Sequence, residues 1–395
     1  MKKPFVISGT GSCLVDQIYP DIDFSHPGVK KYMSRTKGDG GLHPGKLVFP
    51  EQFEAFSDKD LLSSLAEITK GRTEPIFNVG GPSIVALIQA AQLLHGTSTE
   101  VRFYGARGED RTGEFLQSRL EQTPVKLELF KIVSGATPTT IVLSDPNYNK
   151  GHGERAFIND NGAARHMVPG DLEDGFFDAH VVVFGGTALV PNLHDHLTGL
   201  LKKARANGCI TVVNTVFDFR NEFANPGGKW PLGNSDESYN FIDLLITDLE
   251  EALHLSGKED LASASKFFID KGVSAFLITC GTDNTLAYSD GNFFKPRAMS
   301  GFPVSSDLVN DLKGFQGGDT TGCGDNFVGG VLTSLAWQMQ QENHQPELEE
   351  CLAWGTVSGG YCCFHVGGTL LEMEPGEKLE LIQPYFDKYS RQIHV

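Results

Sequence analysis

The stretch GGDTTGCGDNFVGGVLTSLA occupies residues 317–336 and sets an apolar run directly behind a loop of glycines and aspartates. Phe327, Val328, Val331, Leu332, Leu335 and Ala336 recur at three- and four-residue spacing, which predicts one face of a helix. The glycines therefore precede a helix N-terminus, where unpaired N–H groups and the helix dipole attract anions. Gly322, Cys323 and Gly324 would present backbone N–H groups to a phosphate without any lysine, and glycine permits the close approach. Asp325 falls just inside the helix. An isolated aspartate there is most often a cap or a dipole partner. Here Asp319 and several glycines share the loop, and a carboxylate beside a bound phosphate is repelled unless it has a task. Accepting the proton of an attacking hydroxyl is such a task. Phosphoryl transfer needs mainly positioning, so even a weak base serves.

The chain has 395 residues, 40% hydrophobic and 21% charged, with a formal net charge of −17. It can bury a sizeable core. The acidic balance argues against nucleic acid or an anionic membrane as partner, since both require a cationic face. The seven cysteines are odd in number, scattered and free of C-x-x-C spacing, which reads as reduced thiols of a cytoplasmic protein. The opening MKKPFVISGTGSC imitates a lipoprotein signal, but its apolar part, Phe5 to Ile7, falls short of the ~7–15 residues of such a region. A buried first strand is the better reading.

Apolar runs at 4–9, 101–105, 180–186, 209–214, 241–247 and 274–281 read as buried strands. Segments 83–95, 112–122, 193–208 and 260–272 between them carry helical spacing. Strand and helix alternating predicts α/β architecture in three α/β/α layers, with a mostly parallel central sheet covered on both faces. Residues 17–75 and 126–160 break the rhythm. The second segment reads VKLELFKIV, TPTTIVLSD and ERAFIN, the pattern of a small separate β-sheet. The expected organisation is a single domain over 1–395, a lid from about 17–75 and 126–160, and a nucleotide-binding part from about 209 to 395.

Common alternatives are missing. Neither G-x-x-x-x-G-K-[ST] nor G-x-G-x-x-G occurs, which removes a P-loop and a dinucleotide fingerprint. H-E-x-x-H is absent as well. His194 and His196 of HDH stand two apart, do not share a helix face, and read as a surface patch.

DTTGCGDNF at 319–327 resembles the D-T-x-G-A-G-D-x-F signature of the ribokinase-like (PfkB) carbohydrate kinases. The likeness continues in order through ISGTGSCLVD (7–16), NVGGPSIVALIQAAQLL (78–94), YGARGEDRTGEFLQSRL (104–120), GERAFINDNGA (153–163), ITDLEEALHLSG (246–257) and ITCGTDNT (278–285). The resemblance implies an ATP- and Mg²⁺-dependent kinase acting on a hydroxyl of a small sugar or sugar-like alcohol. It makes Asp325 the base and Gly322, Cys323 and Gly324 the anion hole. Asp16, Gly80 and Gly81 would hold the substrate, and Gly281 would lie near the nucleotide. Glu251 would act on Mg²⁺ through water, while Asp319 and Thr321 match positions that hold a monovalent cation such as K⁺. FHVGGT (364–369) resembles the turn that completes that cation site. The lid would close over the substrate, and its sheet edges would favour a homodimer.

Three residues depart from the family pattern. Val85 stands where the family has an asparagine on the substrate, so a buried hydroxyl there would lose a partner at ~1–3 kcal/mol. Asp248 replaces the asparagine of N-x-x-E and adds charge beside the nucleotide. Cys323 replaces alanine; a helix N-terminus could lower its pKa, though a small buried filler is the simpler reading. Two rival functions remain open. GLHPGKLVFPEQFEAF at 41–56 faintly resembles the adenosine-kinase branch, whose acceptor is a nucleoside. The other rival is a ligand-binding member of the fold without catalysis.

Overall fold

The computed structural model describes residues 3–36, 38–71, 74–148, 153–315, 317–341 and 345–394. The gaps at 37, 72–73 and 149–152 leave part of the expected lid outside the described residues. Fourteen strands are described: β1 (Phe5–Gly11), β2 (Leu14–Tyr19), β3 (Leu47–Val48), β4 (Ile76–Gly80), β5 (Thr99–Gly108), β6 (Lys126–Val133), β7 (Thr139–Asp145), β8 (Glu154–Asp160), β9 (Val181–Gly185), β10 (Ile210–Asn214), β11 (Leu244–Asp248), β12 (Ala275–Thr279), β13 (Thr285–Ser289) and β14 (Arg297–Phe302).

Among the described residues, nine strands form one sheet in the order β14-β13-β12-β11-β10-β9-β1-β5-β6. The pairs from β6 across to β12 are parallel, and β13 and β14 close the far edge antiparallel. The central strand Val181–Gly185 is buried along its whole length, as a sheet covered on both faces requires. Its neighbours alternate between two cores. Val183, Val212 and Leu277 face the helices Pro82–Leu93, Cys323–Met339 and Leu348–Cys362, whereas Val182, Val213 and Phe276 face Leu197–Ala206, Leu249–Ser256 and Leu261–Asp270.

The second sheet has the order β3-β8-β7-β2-β4. The helices Pro50–Ser57 and Leu61–Ile68 cover it, with Phe53, Leu65, Leu143 and Ile158 in a third apolar cluster. Residues 126–133 do not join the small sheet; as β6 they pair parallel with β5 at the edge of the large one. Their alternating pattern is that of any half-buried edge strand and does not say which sheet supplies the partner. The helix expected over 193–208 is also broken, into Pro191–Asp195 and Leu197–Ala206. His194 is not on a surface patch. It is buried, with its ring nitrogens at Thr187 Oγ1 (3.0 Å) and the Pro231 carbonyl (3.2 Å).

The apolar part of the lipoprotein-like start lies in β1, an interior strand of the large sheet between β9 and β5. From β1 the chain moves outward to β5 and β6 on one side, and to β9, β10, β11 and β12 on the other. Such a reversal opens a crevice beyond the carboxyl ends of β1 and β9. Gly11 sits at its mouth with φ +134°, and a Cβ there would stand 1.7 Å from the Gly185 carbonyl oxygen. The backbone turns sharply at this point and carries the chain from β1 into β2, from the large sheet to the small one.

Candidate active site

β2 carries Asp16 to the crevice, and β4 lies antiparallel beside it. The Asp16 carboxylate rests on the bare Cα of Gly80. Gly81, with φ +105°, then turns the chain into the Pro82–Leu93 helix; a Cβ on it would meet the Ser12 carbonyl oxygen at 2.7 Å. Gly80 is needed for space, and Gly81 for space as well as for conformation. Pro82 suits the first helical position, where its missing N–H has no intrahelical partner to lose. Beside this turn, Ser83 Oγ and Asn214 Oδ1 are buried without a hydrogen-bond partner from the protein.

From the other side comes the N-terminus of the Cys323–Met339 helix. Gly322 begins it with φ +74°, and a Cβ there would stand 2.4 Å from Gly368 Cα. The first intrahelical bond is Asn326 N–H to Gly322 C=O at 2.8 Å, so the N–H groups of Gly324 and Asp325 precede the helical ladder. Cys323 N–H has a long bond to the Thr320 carbonyl, 3.4 Å, which makes it a weaker anion donor than Gly324. Space around the Cα of Gly324 is open.

Asn326 ties this helix start to the turn at 364–369. Its Nδ2 donates to the carbonyls of Gly322 (2.9 Å) and Gly368 (2.8 Å). Asp319 Oδ1 accepts from the N–H groups of Thr321 (2.8 Å) and Gly367 (3.3 Å). Asn78 Nδ2 donates to the Val366 carbonyl (3.1 Å), and Thr369 Oγ1 to the Val79 carbonyl (2.8 Å), fastening the same turn to β4. The three expected elements therefore meet: the 319–325 loop, the 364–369 turn and the Gly80–Gly81 corner.

Acidic groups crowd this region. Burial, and then the charges of Asp325 and Asp319, push the Asp16 carboxyl up to about 8, while Arg155 acts the other way. Asp325 keeps some exposed surface, but the protein around it pushes its carboxyl up to about 7. Asp16 is 6% exposed and Glu251 8%. Burial, followed by the neighbouring Asp248, pushes Glu251 up to about 8.

Asp248 and Glu251 form a reciprocal cap at the start of the Leu249–Ser256 helix. Glu251 N–H donates to Asp248 Oδ1 (2.8 Å), and Glu251 Oε2 accepts from the Thr215 and Thr247 hydroxyls. The D-x-x-E spacing is thus first a capping box. Gly281 follows β12 with φ +61° and open space about its Cα.

Val85 is placed differently from the other expected site residues. It is 2% exposed, and its γ-methyls line the space above Gly368, 3.5 Å from where a Cβ would be. It forms a packed wall and offers no polar contact. The Cys323 thiol departs from the helix-N-terminus expectation. Hydrogen bonding with Cys362, together with burial, pushes it up rather than down.

Sequence reasoning missed Arg155. Its guanidinium reaches from β8 of the small sheet to the hydroxyls of Thr321 and Thr320, both at 2.6 Å. The Thr321 hydroxyl expected to face a cation is therefore occupied as an acceptor. Arg155 stood within the quoted GERAFIN stretch, but a lone arginine on a strand carries no signal of its target. Asn326 and Asn78 were missed for the same reason.

A parallel α/β sheet, a helix N-terminus aimed at its switch-point crevice and a carboxylate on each side define a ribokinase-fold phosphotransferase. The profile of the pfkB family carbohydrate kinases matches residues 72–374, and the chain belongs to that family. Over 350 residues it is 26% identical to the adenosine kinase of Schizosaccharomyces pombe, covering 83% of this chain and 92% of that protein. It is also 26% identical to the aminoimidazole riboside kinase of Salmonella typhimurium, over 60% of this chain and 68% of that one. Among solved structures, adenosine kinase from Schistosoma mansoni superposes with a TM-score of 0.70 at 18% identity, covering 92% and 96% of the two chains. A probable sugar kinase from Rhizobium etli superposes at 0.69 and 17% identity, covering 97% and 99%. Its relatives are sugar and nucleoside kinases, phosphotransferases with hydroxyl acceptors.

Proposed function

We propose that this chain transfers the γ-phosphoryl group of ATP to a hydroxyl of a small sugar-like acceptor, with Asp325 as the proton acceptor. One observation carries this reading. Asp325 sits in the first turn of a helix whose free N–H groups face the crevice, with Asp16 close enough to raise its own pKa through charge. Asp16, the Gly80–Gly81 backbone, Ser83 Oγ and Asn214 Oδ1 suit acceptor hydroxyls. The N–H groups of Gly324 and Asp325 suit the transferring phosphoryl oxygens. Asp325 takes the acceptor's proton as the new P–O bond forms. The strand and turn at Gly281 suit the nucleotide.

Among the described residues, no cluster of three or more His, Cys, Asp or Glu side chains is arranged to hold a metal ion. Glu251 and Asp248 fit Mg²⁺ as a carboxylate pair acting largely through water, with phosphate oxygens completing the shell. Bound there, Mg²⁺ would neutralise charge on the β- and γ-phosphates. Asp319 and the carbonyls of the 364–369 turn suit a monovalent cation such as K⁺, with Arg155 as its neighbour. The small sheet acts as a lid that excludes competing water. Its exposed β4 edge, with Ile76 and Phe77 open, supports a homodimer. No helix among the described residues is long and apolar enough to cross a membrane. A cytoplasmic setting is part of the same proposal.

A second reading, a nucleoside acceptor, draws on a cavity of about 450 Å³ that the first insertion forms with Glu250 and His254, beside the Asp16–Asp325 crevice and not lined by it. Arg35, His43 and Lys46 of the first insertion face Phe217, Phe219 and His254 across it. The Phe217 and Phe219 rings lie 4.5 Å apart, and Lys46 Nζ stands 4.3 Å from the Phe217 ring centre. Such walls suit a planar base. The deciding experiment is an ADP-release screen over pentoses, hexoses, sugar acids, polyols and nucleosides, with Asp325→Asn as the blank. ATP binding without ADP release on any acceptor overturns the kinase reading. Turnover confined to nucleosides selects the second one.

A further inference from the structure

The site contains a thiol pair that phosphoryl transfer does not use. Cys323, the first residue of the anion-binding helix, has its Sγ 3.3 Å from the Sγ of Cys363. The two are 40 residues apart in sequence, and both keep part of their surface exposed. Cys363 directly follows the Leu348–Cys362 helix, at the foot of the 364–369 turn. The adjacent Cys362 also lies within hydrogen-bonding reach of Cys323, but it is engaged elsewhere. Its thiol donates to the Thr321 carbonyl (3.2 Å), it accepts from Asn326 Nδ2 (3.3 Å), and it is buried.

The backbone around this pair is tightly packed. A Cβ on Gly318 would stand 1.9 Å from the Cys363 carbonyl oxygen, so the glycine loop runs directly over Cys363. A covalent link from 323 to 363 would therefore join three parts of the site: the helix start, the loop before it and the turn after it.

We propose that Cys323 and Cys363 form a reversible disulfide that switches the enzyme off under peroxide stress. The hydrogen bond with Cys323 and burial push the Cys363 thiol up, as Cys323 is pushed up, so only a small thiolate fraction reacts and the oxidation is slow. That thiolate attacks hydrogen peroxide; an S–O bond forms, the O–O bond breaks, and the departing hydroxide takes up a proton and leaves as water, giving a sulfenic acid. The second thiol attacks that sulfur. The S–S bond forms, the S–O bond breaks, and a second water leaves. The two sulfurs together give up two electrons and two protons, which reduce one peroxide to two waters. Thiol–disulfide exchange with a dithiol reductant reverses the change. The link draws the first turn of the helix toward Cys363, moving the N–H groups of Gly324 and Asp325 out of register with a transferring phosphoryl group. It also hinders the loop from adjusting to substrates.

The switch rests on the proposed kinase activity for its consequence but not for its chemistry, so the test reads both. Purified protein is treated with graded hydrogen peroxide and alkylated. Peptide mass mapping then locates the cross-link, and ADP release is assayed before and after dithiothreitol. The expected result is a 323–363 cross-linked peptide whose yield tracks a loss of turnover of about tenfold or more, restored by the reductant. Cys363→Ser should show no cross-link and keep its turnover through the same doses. Cys363→Ala and the wild-type mapping stand in if the serine variant misfolds. A wild-type map without the 323–363 peptide overturns the proposal, and so does equal peroxide sensitivity in the Cys363 variants. A cross-link that forms in a protein with no kinase activity on any acceptor would instead refute the kinase reading and leave the thiol chemistry standing.

Discussion

The Asp16 carboxylate lies against the Cα of Gly80, so closely that a Cβ on Gly80 would stand 2.2 Å from Oδ2. An alanine here has to displace the carboxylate. Gly80→Ala should therefore raise the KM for the acceptor about tenfold or more, at an overpacking cost of about 1–3 kcal/mol. The KM for ATP should stay within about twofold, because the helix proposed to bind the phosphoryl group is a separate element. Steady-state kinetics with each substrate varied in turn checks this, and an unchanged acceptor KM would release Asp16 from its role.

Asp325→Asn removes the proposed proton acceptor while preserving shape. Turnover should fall by a factor of about 10²–10⁴, with ATP affinity by calorimetry held near that of the wild type. In the wild type, kcat should decline as the pH drops through about 7, where the raised Asp325 carboxyl takes up its proton. A flat profile between pH 6 and 8 would assign the proton to another group.

The same upward shifts set a pH dependence of folding. Asp16 titrates at about 8 and Asp325 at about 7 in the folded chain, against roughly 4 in the unfolded one. Between these values the native state holds more protons, so their contribution to stability is full below about pH 4 and lost as the pH rises through about 8. Asp16→Asn abolishes its share of that loss. Thermal unfolding should show the variant melting above the wild type at pH 8 and level with it near pH 4. A constant difference at both pH values would contradict the assignment.

Arg155 reaches from β8 to Thr320 and Thr321 with a two-pronged grip. Bonds to a charged group contribute about 1.5–3 kcal/mol when sheltered, and less where solvent screens them. Arg155→Ala should raise both KM values about tenfold and speed proteolytic cleavage within 317–322. Arg155→Lys should not rescue either effect, since an ammonium lacks the planar fork. Limited proteolysis with and without ATP is the check, and identical cleavage rates would count against a link between the sheet and the loop.

The large sheet was legible in the sequence because strands covered on both faces become unbroken apolar runs, as in HVVVFGG. β6 was not, since KLELFKIV alternates like a strand of either sheet. In the candidate site, Asp325 and the glycines around it were legible because they are contiguous. Arg155, Asn326 and Cys363 were not. Their meaning comes from partners brought near by the topology, and no local pattern encodes that distance. Val85 marks a third kind of limit. The sequence exposes the missing amide, but only packing reveals that the position is a closed wall.

The carboxyls of Asp16, Asp325 and Glu251 are pushed up to about 8, 7 and 8. These carboxyls therefore carry protons in part at neutral pH, and a chain of net charge −17 meets a polyanion there with their local charge partly masked. On the proposed role of Glu251 and Asp248, a divalent cation arriving there would expel the proton that Glu251 holds. Cation uptake and acid release are then one event, and the grip on the cation slackens as the surroundings turn acid.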